Sequence, residues 1–284
     1  MSPIARTSVH TIKTLWEGLA RVPDLSKASI GTATALSALW FALLLAFYAL
    51  PEIDLAVAGF FFRASECGAG VSRLVCGGFP VSHNGVVQVI RKILFYVPHI
   101  TGVCVLVALI IALVEAKDKR ISEFPILKQQ NHDWIAKLAL SLLAALIGPF
   151  LVVNVILKEW SGRPRPIETD VFGGTLHFMP AGSFAGACDG NCSFISGEAA
   201  GAGIIICIVP FIPSSWRSRL GPPLVIASIA TALLRVAFGG HYLSDAVLGW
   251  LSSPVIFAWV FAVYHVFDRP QKRSNSKPSS ILHR

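Results

Sequence analysis

Charge is scarce in this sequence. Of 284 residues, 14% are charged and 54% are hydrophobic, with a mean hydropathy of +0.64, and that balance excludes a pair of soluble domains in favour of a membrane protein. No repeat of solenoid period is visible, and no stretch is long and polar enough to form a soluble domain. There is no carboxylate cluster of the kind that holds magnesium and no His/Cys set of the kind that holds zinc. The net charge of +8 is not gathered on a soluble basic domain with interleaved aromatics, so a nucleic-acid partner is excluded.

What is present is a series of long apolar runs. Residues 30–50, 93–114, 138–157 and 246–267 are each long enough to cross the roughly 30 Å hydrocarbon core of a bilayer. Residues 199–212 and 222–238 are shorter or carry a charge near one end, yet still read as helices of a bundle. The expectation is an all-α polytopic protein with six transmembrane helices in one domain, residues 30–267. Residues 1–29 precede it, and a disordered basic tail, 268–284, follows, its Arg269, Lys272, Arg273 and Lys277 suited to anionic lipid headgroups. The first run is not a signal peptide, although Ala56-Val-Ala58 resembles a cleavage site: it is longer than the roughly 7–15 apolar residues of a signal core. Before it, Ile12, Leu15, Trp16, Leu19 and Val22 recur at helical spacing. They suit an amphipathic helix, either lying on the membrane surface or packed on the bundle.

The loops carry an orientation. With the N-terminus inside, the inner segments 1–29, 115–137, 213–221 and 268–284 hold 16 of the chain's 24 lysines and arginines, which places both termini in the cytoplasm. Cys67 and Cys76 then fall in the first outer loop and Cys188 and Cys192 in the second, while Cys104 and Cys207 lie in spans. An outer loop of a bacterial inner membrane faces an oxidising periplasm, so two local disulfides, Cys67–Cys76 and Cys188–Cys192, are expected.

Against this apolar background two stretches stand out. Arg235-Val-Ala-Phe-Gly-Gly-His241-Tyr-Leu-Ser-Asp245 places a cation, an imidazole and a carboxylate at the end of a hydrophobic segment, where desolvation disfavours them unless something binds or pairs with them. His241 and Asp245 are four apart, so on a helix the carboxylate can hold one imidazole nitrogen and leave the other to react. The second outer loop opens with Lys158 and Arg165-Pro166 and closes with Ser196-Gly197-Glu198. Arg165, held extended by flanking prolines, offers a planar fork for oxygens. Ser196-Gly197 precedes a helix whose first backbone N–H groups would face the loop, where a phosphate would bind. Counting spans puts Lys158, Ser196, Arg235 and His241 at helix ends on one face of the membrane.

Lys158-x6-Arg165-Pro166, then Ser196-Gly197, then Arg235-x5-His241-x3-Asp245, in that order, resemble the type 2 phosphatidic acid phosphatase (PAP2) superfamily. The resemblance covers the third to the sixth span. It implies that His241 attacks phosphorus and forms a phosphohistidine, that Asp245 orients the imidazole, and that Lys158, Arg165, Arg235, Ser196 and the Gly197 backbone hold the phosphate oxygens. It implies no metal and no cofactor. One position departs from the pattern: the middle motif usually ends in a histidine that protonates the leaving alkoxide, and here Glu198 stands there. Glu198 can serve as that acid, a contribution worth about 10²–10⁴-fold, or it can pair with Arg165 or Arg235, and His177 in the same loop is a further candidate. Ser-Gly-Glu in this setting is similar to bacterial lipid A phosphatases. The expected partners are therefore the phospholipid bilayer and a membrane lipid phosphate, first lipid A at its 4′- or 1-phosphate, then undecaprenyl diphosphate or phosphatidylglycerol phosphate. The rival class is a transporter of an anionic substrate, which places its charged groups near the midplane of repeated halves; these lie at span ends without a repeat.

Overall fold

A computed structural model describes residues 14–68, 75–117 and 125–275 of the chain. The helices, in chain order, are α1 (Ile30–Ala49), the short α2 (Glu52–Phe61) and α3 (Gly85–Ala116). Then comes α4, which runs from Pro125–Ala145 through a π-helical stretch Leu146–Leu157 to a last turn Lys158–Trp160. They are followed by α5 (Gly197–Ile208), α6 (Ser214–Ala237) and α7 (Leu243–Asn275). Among the described residues five of these, α1, α3, α4, α6 and α7, are long and apolar enough to cross a membrane, and Gly197–Phe211 is a shorter apolar helix in the place of the expected span 199–212. The chain is a multi-pass helical membrane protein. α7 continues to Asn275, past residue 268 where a tail was expected, and Lys277 lies outside the described residues, as does Ile12.

Local chemistry explains the helix ends. Ser29 caps α1 by accepting from the Thr32 N–H, and Asn84 caps α3 by accepting from the Val87 N–H. α6 starts eight residues before the expected span because Pro222 and Pro223 are tolerated inside it. Pro222 has no N–H to give the Ser218 carbonyl four residues back, and the indole N–H of Trp16 donates to that carbonyl instead, at 2.9 Å. Trp16 belongs to the short helical segment at residues 14–20, whose Leu19, together with Val22 just beyond, packs on Ile205, Val209 and Val225. The amphipathic segment is thus docked on the bundle, with Leu15 left exposed.

α7 is the most buried of the long helices, and α1 and α3 are the least. Small residues let α5 lie directly against α7: a Cβ on Gly203 would stand 2.2 Å from the Trp250 carbonyl oxygen. Apolar surface gives little drive for helix association in lipid, so such close contact and hydrogen bonds across helices carry the packing. Ser253 donates to the Ala200 carbonyl, Ser228 to the Ala202 carbonyl and the Trp250 indole to Ser228 Oγ, at 2.6, 2.6 and 2.9 Å.

Two loops cover one end of the bundle. The first contains a two-stranded antiparallel hairpin, β1 (Arg63–Ser65) and β2 (Cys76–Gly78), in a chain expected to be all helical, and the Cys67–Cys76 disulfide staples it. Beside it Phe79, Phe172, Tyr242 and Ala58 form a buried cluster. The second loop, residues 161–196, is tied to itself by Cys188 N–H to Gly162 O at 2.9 Å and Ser193 N–H to Arg163 O at 2.8 Å, and by the Cys188–Cys192 disulfide.

Candidate active site

The charged helix ends meet under these loops. Lys158 is in the last turn of α4, Ser196 caps α5 by accepting from the Ala199 N–H at 3.3 Å, Arg235 is in the last turn of α6, and Asp245 is in the first turn of α7. Between α6 and α7 the chain reverses at Gly239, whose φ of +65° suits glycine and whose Cβ, if present, would lie 2.4 Å from the Phe79 ring. Gly240 lets the Arg235 guanidinium fold back across the turn, since a Cβ there would stand 2.7 Å from Nη2. His241 follows at once.

The His241 side chain is buried, and its Nδ1 donates to the Ser193 carbonyl at 2.8 Å. A carbonyl can only accept, so the proton sits on Nδ1 and the lone pair on Nε2. The expected direct bond from Asp245 is absent: its Oδ2 is 4.0 Å from Nδ1. The reason is that three other donors occupy the carboxylate, the Arg163 guanidinium at 2.5 Å, Ser193 Oγ at 2.6 Å and the Tyr242 N–H at 3.0 Å. Asp245 acts on the imidazole through Ser193. Burial, and then the Arg235, Lys158 and Arg165 cations, hold the His241 pKa well below the ordinary 6.5, with the Ser193 carbonyl acting the other way. The resting imidazole is therefore neutral.

Asn191, at the tip of the disulfide-closed turn, joins two of those cations. Its Oδ1 accepts from Lys158 Nζ at 3.3 Å and its carbonyl from Arg165 Nη2 at 2.8 Å. Arg165 is extended, as its flanking prolines require. Glu198, in the first turn of α5, is bonded by Arg91 of α3 and lies 3.5 Å from Arg235 Nε. It is thus paired with Arg235, one of the two expected partners, and with Arg91 in place of Arg165. The Nε atoms of Arg91, Arg165 and Arg235 are buried and make no hydrogen bond within the protein, Arg235 Nε having only the longer ion pair to Glu198. A cluster of cations with unused buried donors, at the N-terminus of a helix, is built to take an anion.

Residues 134–269 match the PAP2 superfamily. Over 254 residues the chain is 44% identical to a lipid A 4′-phosphatase of Rhizobium etli, covering 88% of this chain and 93% of that one. Over 240 residues it is 45% identical to a lipid A 4′-phosphatase of Rhizobium leguminosarum, covering 84% and 97%. The chain belongs to the PAP2 superfamily. Among solved structures it is similar to a transmembrane PAP2-type phosphatidylglycerolphosphate phosphatase from Bacillus subtilis, at 18% identity and a TM-score of 0.45, over 85% of this chain and 98% of that one.

In this PAP2 chain every residue of the three motifs is brought to one place. His177 is not: it is 93% exposed and pairs with Asp170 at 2.7 Å out on the loop. Sequence reasoning missed Asp54, Arg91, Arg163 and Ser193. Asp54 carried a signal, a carboxylate between Ile53 and Leu55 at the head of an apolar run, and so did Arg91 near the start of an apolar helix. Arg163 was hidden by its neighbour in Arg-Pro-Arg-Pro, and a backbone carbonyl such as that of Ser193 has no signature at all.

Proposed function

We propose that this chain is a lipid A phosphatase, removing the 4′-phosphate at the periplasmic face of a bacterial inner membrane through a phosphohistidine on His241. The observation that carries this reading is the neutral, buried His241 facing Lys158, Arg165, Arg235 and the α5 N-terminus, in a chain 44–45% identical to lipid A 4′-phosphatases over most of its length. Nε2 attacks phosphorus as the bond to the sugar oxygen breaks. The three cations, Ser196 and the Gly197 N–H hold the phosphoryl oxygens while charge shifts to the leaving atom, which takes a proton. In this reading Glu198, 3.5 Å from Arg235 in the first turn of α5, gives it. Water then gives a proton back to Glu198 as it attacks the phosphohistidine, phosphate leaves, and His241 returns to its neutral form.

A cleft of about 530 Å³ runs between α3, α4 and α5 from Lys158 and Glu198 past Phe95, Pro98, Phe150 and Ile204. It is polar at the Lys158–Glu198 end and apolar beyond, which fits a lipid whose phosphate sits at the site and whose chain lies among the helices. Mass spectrometry of lipid A from cells with and without the gene tests the substrate. The expected result is lipid A one phosphate heavier, at the 4′ position, in the cells without it; unchanged lipid A with altered isoprenoid phosphates would contradict the lipid A assignment.

The orientation rests on the basic inner loops and on the two disulfides at the same end as the site. Cys188 and Cys192 are expected to resist a membrane-impermeant maleimide in spheroplasts and to react once a reductant is added. Reaction of Cys188 without reductant would contradict the bridge, and reaction only after the cytoplasm is opened would invert the topology.

A further inference from the structure

We infer that Arg163, fixed by Asp54, is a positioning residue for the histidine nucleophile, holding both Asp245 and the carbonyl that orients the imidazole. The inference rests on the reading of His241 as nucleophile. Arg163 is fully buried, and every part of it is used. Nη1 donates to Asp245 Oδ1 at 2.5 Å and to Ser244 Oγ at 2.8 Å, Nη2 to Asp54 Oδ2 at 2.8 Å, and Nε to the Met179 carbonyl at 2.9 Å. The guanidinium stacks 4.5 Å from the centre of the Tyr242 ring. Its own carbonyl accepts from the Ser193 N–H at 2.8 Å, and it is the Ser193 carbonyl that holds His241 Nδ1. One residue therefore reaches the imidazole by two routes, from its backbone through Ser193 and from its side chain through Asp245.

Asp54 anchors the arrangement from α2. Its Oδ1 accepts from the Ser244 N–H at 2.8 Å and its Oδ2 from Ser244 Oγ at 2.5 Å, so it caps the first turn of α7 from another helix while holding Arg163. Buried ion pairs of this kind are weak stabilisers compared with apolar residues of similar size, so stability alone does not account for this one. The geometry here sits directly behind the reacting imidazole.

Charge gives the inference a signature that a merely structural role would lack. On the Nδ1 side of His241 stand Asp245 of α7, Asp54 of α2 and Arg163. On the other side are Lys158 of α4, Arg165 of the loop and Arg235 of α6, with Glu198 of α5 and Arg91 of α3 paired beyond them. Removing the Arg163 charge leaves Asp245 unopposed 4.0 Å from Nδ1, which favours the protonated imidazole. Removing the Asp54 charge does the reverse.

The test uses the full-length protein in nanodiscs, with ¹⁵N-histidine NMR of the free protein and turnover of lipid A as separate arms. Arg163→Gln is expected to move the His241 titration upward toward 6.5 and Asp54→Asn to move it downward. Both are expected to lower kcat by about 10–100-fold with KM within about threefold, the size usual for residues that orient a catalytic ligand. If Arg163→Gln does not fold, Asp54→Asn decides alone. A folded Asp54→Asn protein with the wild-type titration and kcat overturns the inference, as does a loss of thermal stability without change in either. The NMR arm needs no substrate, and a wild-type protein inactive on lipid A would count against the proposed function and not against the positioning role.

Discussion

Replacing His241 by alanine is expected to lower turnover by about 10⁴-fold or more, because loss of the nucleophile in a covalent mechanism leaves only what binding and charge can do. The change costs some stability, since His241 is buried and its loss leaves the Ser193 carbonyl unpaired, but that is a single hydrogen bond in a polar turn. The protein should still insert, form both disulfides and bind inorganic phosphate. Purified wild-type and variant proteins, compared by phosphate release from a lipid phosphate, check this. A His241→Ala protein that kept most of its turnover would contradict the mechanism.

The second large effect concerns Glu198, where the chain departs from the motif of its superfamily. If Glu198 protonates the leaving oxygen, Glu198→Gln should lower kcat about 10²-fold or more on a lipid that leaves as a sugar alkoxide. On a diphosphate lipid, whose leaving phosphate is already a weak base, the change should be small. The geometry sets up the contrast: the carboxylate is bonded by Arg91, faces Arg235 at 3.5 Å and lines the polar end of the cleft. Were it only a partner for those two arginines, its loss would disturb phosphate binding in ground and transition states together, and KM would rise on both substrates alike. Equal changes, seen mainly in KM, would remove the acid role and favour an isoprenoid diphosphate as substrate.

Much of the site was legible because its chemistry stands out against apolar sequence. Lys158, Arg165, Arg235, His241 and Asp245 are costly in such a setting, and the alternation of spans was enough to bring them to one face. Both disulfides were legible for a related reason: each pairs cysteines close in sequence within one outer loop. The rest depended on contacts between distant segments. Asp54 lies 190 residues before the Ser244 it caps, and Arg163 lies 82 before the Asp245 it holds. The hydrogen bond that orients the imidazole is accepted by a backbone carbonyl, which any residue could supply. The start of α6 was misplaced because two prolines look like a helix boundary, and only the docked Trp16 shows how the broken backbone bond is made good.

The covalent intermediate is the central claim, and trapping it is the most direct measurement. Wild-type protein in nanodiscs would be mixed with ³²P-labelled lipid A, quenched within milliseconds at alkaline pH and digested for mass spectrometry. The account predicts a base-stable, acid-labile phosphate on the peptide containing His241, formed and lost at rates consistent with turnover. Full turnover with no phosphorylated peptide, or with the phosphate on another residue, would contradict it.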